Sequence, residues 1–228
     1  MFDETAHAFA AITDTAIANN AYVRGTLFVE AVKVAVPPGG RVLDYGCGPG
    51  RLARLLAQEG YRVYGVDPSA GMIAEAGAQE VGGLPVEFEL TYGGGDQLEA
   101  SAYDGIVCSS VIEYVPDAEA LLCDFHRCLR PQGALIISYA NKHSLWRRYM
   151  RWRFGRTAPH YRLQFNIWSL AEFKALLIRT GFALTSRPRH FEATPFDNRP
   201  YLSFLSSSVL VGILGLVVAR RNDRHKRP

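Results

Sequence analysis

The sequence predicts an α/β fold: a largely parallel sheet with helices on both faces. Three observations predict it. Between residues 41 and 140, short apolar runs alternate with segments whose apolar side chains recur every three or four positions, which is the rhythm of βαβ units. The first apolar run breaks into a glycine-rich turn that leads straight into a helix, as the first βα connection of such sheets does. The 228 residues, 48% hydrophobic and 21% charged, suffice for one sizeable core and are ordinary for a globular chain.

The elements follow in order. Residues 6–18 and 21–35 each carry apolar side chains at helical spacing, and Pro37-Pro38-Gly39-Gly40 stops the second helix. RVLDY, 41–45, is the first strand. RLARLLAQEG, 51–60, gathers Leu52, Leu55 and Leu56 on one helical face and closes at Gly60. A second strand spans 61–67, a short helix 69–79, and a third strand 85–92 with Val86, Phe88 and Leu90 alternating. A fourth strand over 103–110 precedes a helix over 117–129 capped by Asp117, then a fifth strand over 133–140. Another helix, 169–182, leads to a sixth strand, 182–191, interrupted by Pro188, and a seventh, 212–220. The expected division is a helical cover, 1–40, and a core, 41–221, with a lid insertion at about 141–168 and a basic tail, 222–228.

A net charge of +3 is too small to announce a nucleic-acid binder. The surplus sits in two places: five basic residues among the last nine, and six between Asn141 and Arg156 with no acidic one. Cys47, Cys108, Cys123 and Cys128 form no CxxC pair and no disulfide framework, and the N-terminus carries acids where a signal peptide carries positive charge. A cytoplasmic setting is expected. Tyr201 to Ala219 is free of charge and close to the roughly 20 residues that cross a bilayer. Its four serines, and the need for a last strand, favour a short helix followed by a buried strand.

VLDYGCGPG, 42–50, is the sharpest motif. Glycines let the backbone bend tightly and let a ligand approach it. The spacing is GxGxG: Gly46, Gly48 and Gly50, with Arg51 where a dinucleotide fingerprint has glycine, and no GK[ST] of a phosphate-binding loop occurs. Asp44, two residues before the first glycine, would repel a pyrophosphate but suits an ammonium or sulfonium. Asp67 ends the second strand, where a carboxylate can accept both ribose hydroxyls of an adenosine.

The stretch VLDYGCGPGRLARLLAQEGYRVYGVDPSAGMIAEA resembles the first two motifs of class I S-adenosylmethionine-dependent methyltransferases. SAYDGIVCSSVIEYVPDA, 101–118, is similar to their fourth-strand motif, and LRPQGALIIS, 129–138, to the segment that introduces strand five. The resemblance spans roughly residues 20–220 and points to small-molecule O-methyltransferases of the ubiquinone-biosynthesis kind. It implies a Rossmann-like seven-stranded sheet of order 3-2-1-4-5-7-6, strand seven antiparallel, and S-adenosyl-L-methionine as cofactor. Asp44 and the backbone of Gly46, Cys47, Gly48 and Gly50 would surround the methionine part, and Asp67 the ribose. Pro68, Ser69 and Met72 would pack around ribose and adenine, and Ser109, Ser110 and Val111 would floor the site near the sulfonium. Tyr22 and Arg24 match the family's N-terminal cover, where Arg24 could pair with the cofactor's carboxylate.

Two departures stand out. The family's acidic adenine contact after strand three falls on Thr91-Tyr92, whereas Asp96 has the right chemistry five residues later and is favoured. Many relatives carry histidine after the glutamate of VIEY; here it is Tyr114. The candidates for assisting the acceptor are therefore Tyr114, His143 just after strand five, and His160 before FNIWSLAEF. HxH, HExxH and a paired-aspartate cluster are missing, so no metal is expected.

LWRRYMRWRFGR, 145–156, interleaves aromatic residues with five arginines. The preferred reading is a lid helix that buries its aromatics over the site, with Arg147, Arg148 and Arg151 projecting elsewhere. An interfacial helix on anionic lipid, or a clamp for a lipid-linked acceptor, is the second reading, and RNA a third. The expected enzyme methylates oxygen, in preference to nitrogen, of a small apolar or aromatic acceptor. An NAD-binding oxidoreductase and a non-catalytic cofactor-binding module at a membrane surface are the alternatives.

Overall fold

The structure is a computed structural model, and it describes residues 16–78, 82–91, 97–154, 164–191, 208–210 and 212–223. In chain order the elements are α1 (Ala16–Ala35), β1 (Arg41–Tyr45), α2 (Arg51–Gln58), β2 (Arg62–Asp67), α3 (Ala70–Ala78), β3 (Val86–Leu90) and β4 (Tyr103–Cys108). A 3-10 turn (Ile112–Tyr114), α4 (Ala118–Cys128), β5 (Leu129–Ala140), α5 (Leu145–Phe154) and α6 (Leu170–Arg179) follow, then β6 (Phe182–Leu184), β7 (Arg189–Phe191) and β8 (Leu214–Arg221).

The sheet runs β3-β2-β1-β4-β5-β8-β6, with β7 also paired to β8. Strands β1 to β5 are parallel, and β8 lies antiparallel to β5 from Ala134↔Arg220 to Ala140↔Leu214. The expected order holds, β8 being the seventh strand of the sequence reading. The apolar end of the Tyr201–Ala219 stretch is therefore a sheet strand. Among the described residues no helix is long and apolar enough to cross a membrane.

Two expectations need correction. The sixth strand is two strands, β6 and β7, each antiparallel to β8. Between them Ser186 Oγ accepts the Val218 N–H (3.2 Å) that an uninterrupted neighbour's carbonyl would take, and Pro188 has no N–H to give to the ladder. The N-terminal segment is helical without a break from Ala16 to Ala35. Asn19 and Asn20 are poor helix formers but, unlike proline, do not stop a helix. The remainder of the first expected helix lies outside the described residues.

The central strands are buried on both faces, as their near-continuous apolar runs require. On β5, Leu135, Ile137 and Tyr139 join Phe125 of α4 and Phe173 of α6 on one side. Ala134 and Ile136 join Phe28 and Val32 of α1 and Leu56 of α2 on the other. Local signals set the helix starts. Asp117 accepts the Ala120 N–H (2.9 Å) at α4. At α6, Ser169 and Glu172 form a reciprocal capping box, a device worth about 1 kcal/mol. The C-terminal ends of β1, β2, β4 and β5 thereby reach one edge, where open sheets of this class bind ligands.

Candidate active site

The turn after β1 has φ of 72° at Gly46, 53° at Gly48 and 76° at Gly50, a left-handed conformation that a side chain disfavours. A Cβ at Gly46 would overlap the Val111 side chain, so the turn and the end of β4 close on each other. The Gly46 and Cys47 N–H groups both donate to Val66 O (2.8 and 3.0 Å), Gly50 N–H donates to Cys47 O (3.0 Å), and Gly48 N–H donates to Asp67 Oδ2 (2.9 Å). Residue 49 is proline. Every N–H from Gly46 to Gly50 is thus engaged within the protein, and the turn is not the amide cradle that holds a phosphate.

Two carboxylates border this turn. Asp44 is 2% exposed. Burial first, and the negative charge of Asp67 second, push its carboxyl up to about 7, against a backbone hydrogen bond from Ala53. Its Oδ2 is buried with no hydrogen-bond partner among the described residues. A buried acceptor without a donor costs on the order of 1–3 kcal/mol or more, and a cationic ligand group removes that cost. Asp67 accepts from Ser69 N–H (2.9 Å) as well as Gly48, which fixes the carboxylate at the end of β2.

Across the cleft, Ser110 has φ 56°, and its N–H donates to Ser138 Oγ of β5 (2.8 Å). A non-glycine residue held there marks a locally strained turn. The hydroxyl oxygens of Ser109 and Ser110 are buried and, like Asp44 Oδ2, lack a partner among the described residues. Beyond them Tyr114 OH accepts from Gln164 Nε2 (3.3 Å), and Gln164 Oε1 accepts from Arg147. Burial and the charge of Glu113 raise the Tyr114 hydroxyl to about 12, with Gln164, Arg147 and Arg24 acting the other way. The Glu113 carbonyl accepts the Phe165 and Asn166 N–H groups (2.8 and 3.2 Å), tying the segment before α6 to the site.

The expected site residues divide accordingly. Asp44, Gly46, Gly48, Gly50, Asp67, Ser109, Ser110 and Val111 come together around the turn. The Cys47 side chain is buried toward Gly65 and Phe88, leaving only its backbone near the cleft. Met72 is buried, Pro68 is exposed at the rim, and Ser69 Oγ accepts the Met72 N–H (3.2 Å) at the start of α3. Arg24 lies on α1 within electrostatic reach of Tyr114. Thr91 is buried and donates its N–H to Asp67 O (3.1 Å). Tyr92, Asp96, His160 and the Tyr22 side chain lie outside the described residues. His143 is exposed, its backbone N–H donating to Asn141 Oδ1 (3.1 Å).

The lid helix differs from its expectation. Arg147 is 5% exposed and points to the site, whereas Leu145, Tyr149 and Trp152 face outward. Charge is inside because Gln164 and the Tyr114 hydroxyl give the guanidinium a polar seat. Sequence reasoning missed Arg147 and Gln164. The signal available was position: Arg147 lies opposite the Leu145–Tyr149–Trp152 stripe on α5.

The methyltransferase-domain family model matches residues 20–187. The chain belongs to that family. A ubiquinone biosynthesis O-methyltransferase of Sodalis glossinidius is 34% identical over 106 residues, 46% of this chain and 43% of that protein. The putative methyltransferase YqeM of Bacillus subtilis is 28% identical over 136 residues, 56% of this chain and 52% of its own. The chain thus matches about half the length of these curated relatives. Magnesium protoporphyrin IX methyltransferase from Synechocystis, a structure with bound SAH, superposes with TM-score 0.72 at 24% identity, covering 97% of this chain and 96% of its own. A putative methyltransferase from Haloferax volcanii, solved with the Trm112 activator, gives 0.69 at 19% identity over 97% of each chain. Such likeness establishes the methyltransferase fold. S-adenosylmethionine is compatible with the residues of the cleft: Asp44 offers a buried carboxylate oxygen without a partner among the described residues, Asp67 offers a second carboxylate, and the turn has no spare amide for a phosphate.

Proposed function

We propose that this chain binds S-adenosylmethionine and transfers its methyl group to an oxygen, in preference to a nitrogen, of a small apolar or aromatic acceptor. The observation that carries the cofactor reading is the pairing of Asp44 and Asp67 beside a glycine turn whose N–H groups are all engaged. A dinucleotide asks for the opposite, free amides and no carboxylate at the pyrophosphate. The O-methyltransferase relatives and the aromatic residues of the lid segment, Trp146, Trp168 and Phe165 among them, support the acceptor class.

When bound, S-adenosylmethionine supplies a methyl group on a cationic sulfur that departs as a neutral thioether. Asp44 would hold the ammonium and Asp67 the ribose hydroxyls, while Ser109 to Val111 form the floor on the acceptor side. Holding acceptor and methyl carbon in line is worth roughly 7–11 kcal/mol, so positioning does most of what the protein contributes. Tyr114, protonated up to about pH 12, donates or accepts a hydrogen bond and orients the acceptor without acting as base. His143 or His160 takes the acceptor proton, a step worth about 10²–10⁴-fold.

Calorimetry with S-adenosylhomocysteine tests the reading. Binding should be weakened about 100-fold or more by Asp67→Ala, which removes two charge-assisted bonds, and NAD should give no heat. The reverse pattern overturns it. Among acceptors, a panel of phenols, carboxylates and amines with labelled cofactor should yield product with a phenol. If His143→Ala and His160→Ala both turn over at the normal rate, neither histidine is the base.

A further inference from the structure

Helix α5 is amphipathic the wrong way round for a helix that only covers a core. Its buried cation, Arg147, points into the Tyr114 cluster, while Trp152 (80% exposed), Leu145 (57%) and Tyr149 (45%) form an unbroken outward stripe. At 3.6 residues per turn, Arg148 flanks this stripe on one side and Arg153 on the other, both exposed. The stripe continues onto the turn at 208–210. Leu145 N–H donates to Leu210 O (2.8 Å), and Leu210 is 52% exposed.

An apolar stripe lined on both edges by arginines, with no acidic residue between Asn141 and Arg156, matches one kind of surface. Aromatic rings settle at the boundary between headgroups and acyl chains, and arginine stems lie along that boundary with the guanidinium reaching phosphate. A purely apolar protein groove offers nothing to the positive charge along both edges of the stripe. We propose that the outer face of α5, with the 208–210 turn, docks on an anionic phospholipid bilayer. Docking there places α5 between the bilayer and the Tyr114 cluster, since Arg147 enters that cluster from the opposite face of the helix. The proposal goes beyond the transfer reaction and does not depend on which acceptor is used.

The test is flotation of the full chain with vesicles of phosphatidylcholine alone or with one third phosphatidylglycerol. The chain should float with the anionic vesicles, about tenfold less with phosphatidylcholine alone, and less as salt is raised. The double variant Tyr149→Ser/Trp152→Ser and the double variant Arg148→Glu/Arg153→Glu should each lose about tenfold or more. Lys174→Glu, on α6, should float as the parent chain does. Binding of S-adenosylhomocysteine, measured by calorimetry on the same variants, should be unchanged and reports an intact fold. Absence of flotation overturns the proposal, and so does equal flotation of the α5 variants, which would assign lipid binding to another segment such as the basic tail. A parent-chain dimer that Trp152→Ser dissolves in light scattering would also overturn it, the face then being covered by a second copy.

Discussion

Asp44 is held where its own charge is disfavoured. Removal from water and the nearby charge of Asp67 push its carboxyl up to about 7, whereas in an unfolded chain it titrates near 4. The folded protein therefore holds this proton more tightly than the unfolded chain does. Its contribution is fully present below about pH 4 and is lost as pH rises through about 7, by on the order of 4 kcal/mol without ligand. Asp44→Asn keeps the shape and removes the charge. It should raise the melting temperature of the unliganded protein by several degrees at pH 8 and by little at pH 5. It should also abolish the pH dependence of cofactor binding, which in the parent chain tightens about tenfold from pH 6 to pH 8 as Asp44 ionises to meet an ammonium. An Asn variant no more stable than the parent at pH 8 would show that the carboxylate is not strained. Stability given up at one position for ligand recognition is the usual sign of a binding site.

The elements show where a sequence speaks and where it does not. Signals carried by neighbours in the chain were legible: the GxGxG turn, Asp117 and Ser169 as helix starts, and the apolar run that became β8. Signals that depend on a partner distant in sequence were not. The split between β6 and β7 follows from Ser186 meeting the Val218 N–H, 32 residues away. The inward turn of α5 follows from Gln164, which joins Arg147 to Tyr114, a residue 50 positions earlier in the chain. Helical periodicity assigned the two faces of α5 correctly to different residues but could not say which face is inside. An arginine with a buried polar partner outweighed three aromatic or aliphatic side chains. The candidate site divides the same way: the Asp44–Asp67 side lies on short strand-to-turn motifs, while the cluster of Tyr114, Arg147 and Gln164 is assembled from segments the sequence does not place side by side.

At the scale of the whole molecule, one sheet serves two apolar layers, and β5 belongs to both. Leu135, Ile137 and Tyr139 look toward α4 and α6, and Ala134 and Ile136 toward α1 and α2. Phe173 of α6 is fully buried, with its ring 4.7 Å from that of Tyr139 and 5.3 Å from that of Trp168. Phe28 of α1 is equally buried in the other layer. If each layer were a separate folding unit, a cavity in one would leave the other's melting unchanged. Because the layers share their strands, a cavity on either side loosens the same ladders. Phe173→Ala and Phe28→Ala should each cost about 3–5 kcal/mol and shift a single unfolding transition, seen alike by far-ultraviolet circular dichroism and tryptophan fluorescence. Their effects should add within about 0.5 kcal/mol, since the two rings lie on opposite sides of the sheet. Two resolved transitions in either variant would mean that α1 and its layer form a separable cover. A single transition means that β1 and β4, which bring Asp44 and Val111 to the cleft, unfold together with both layers.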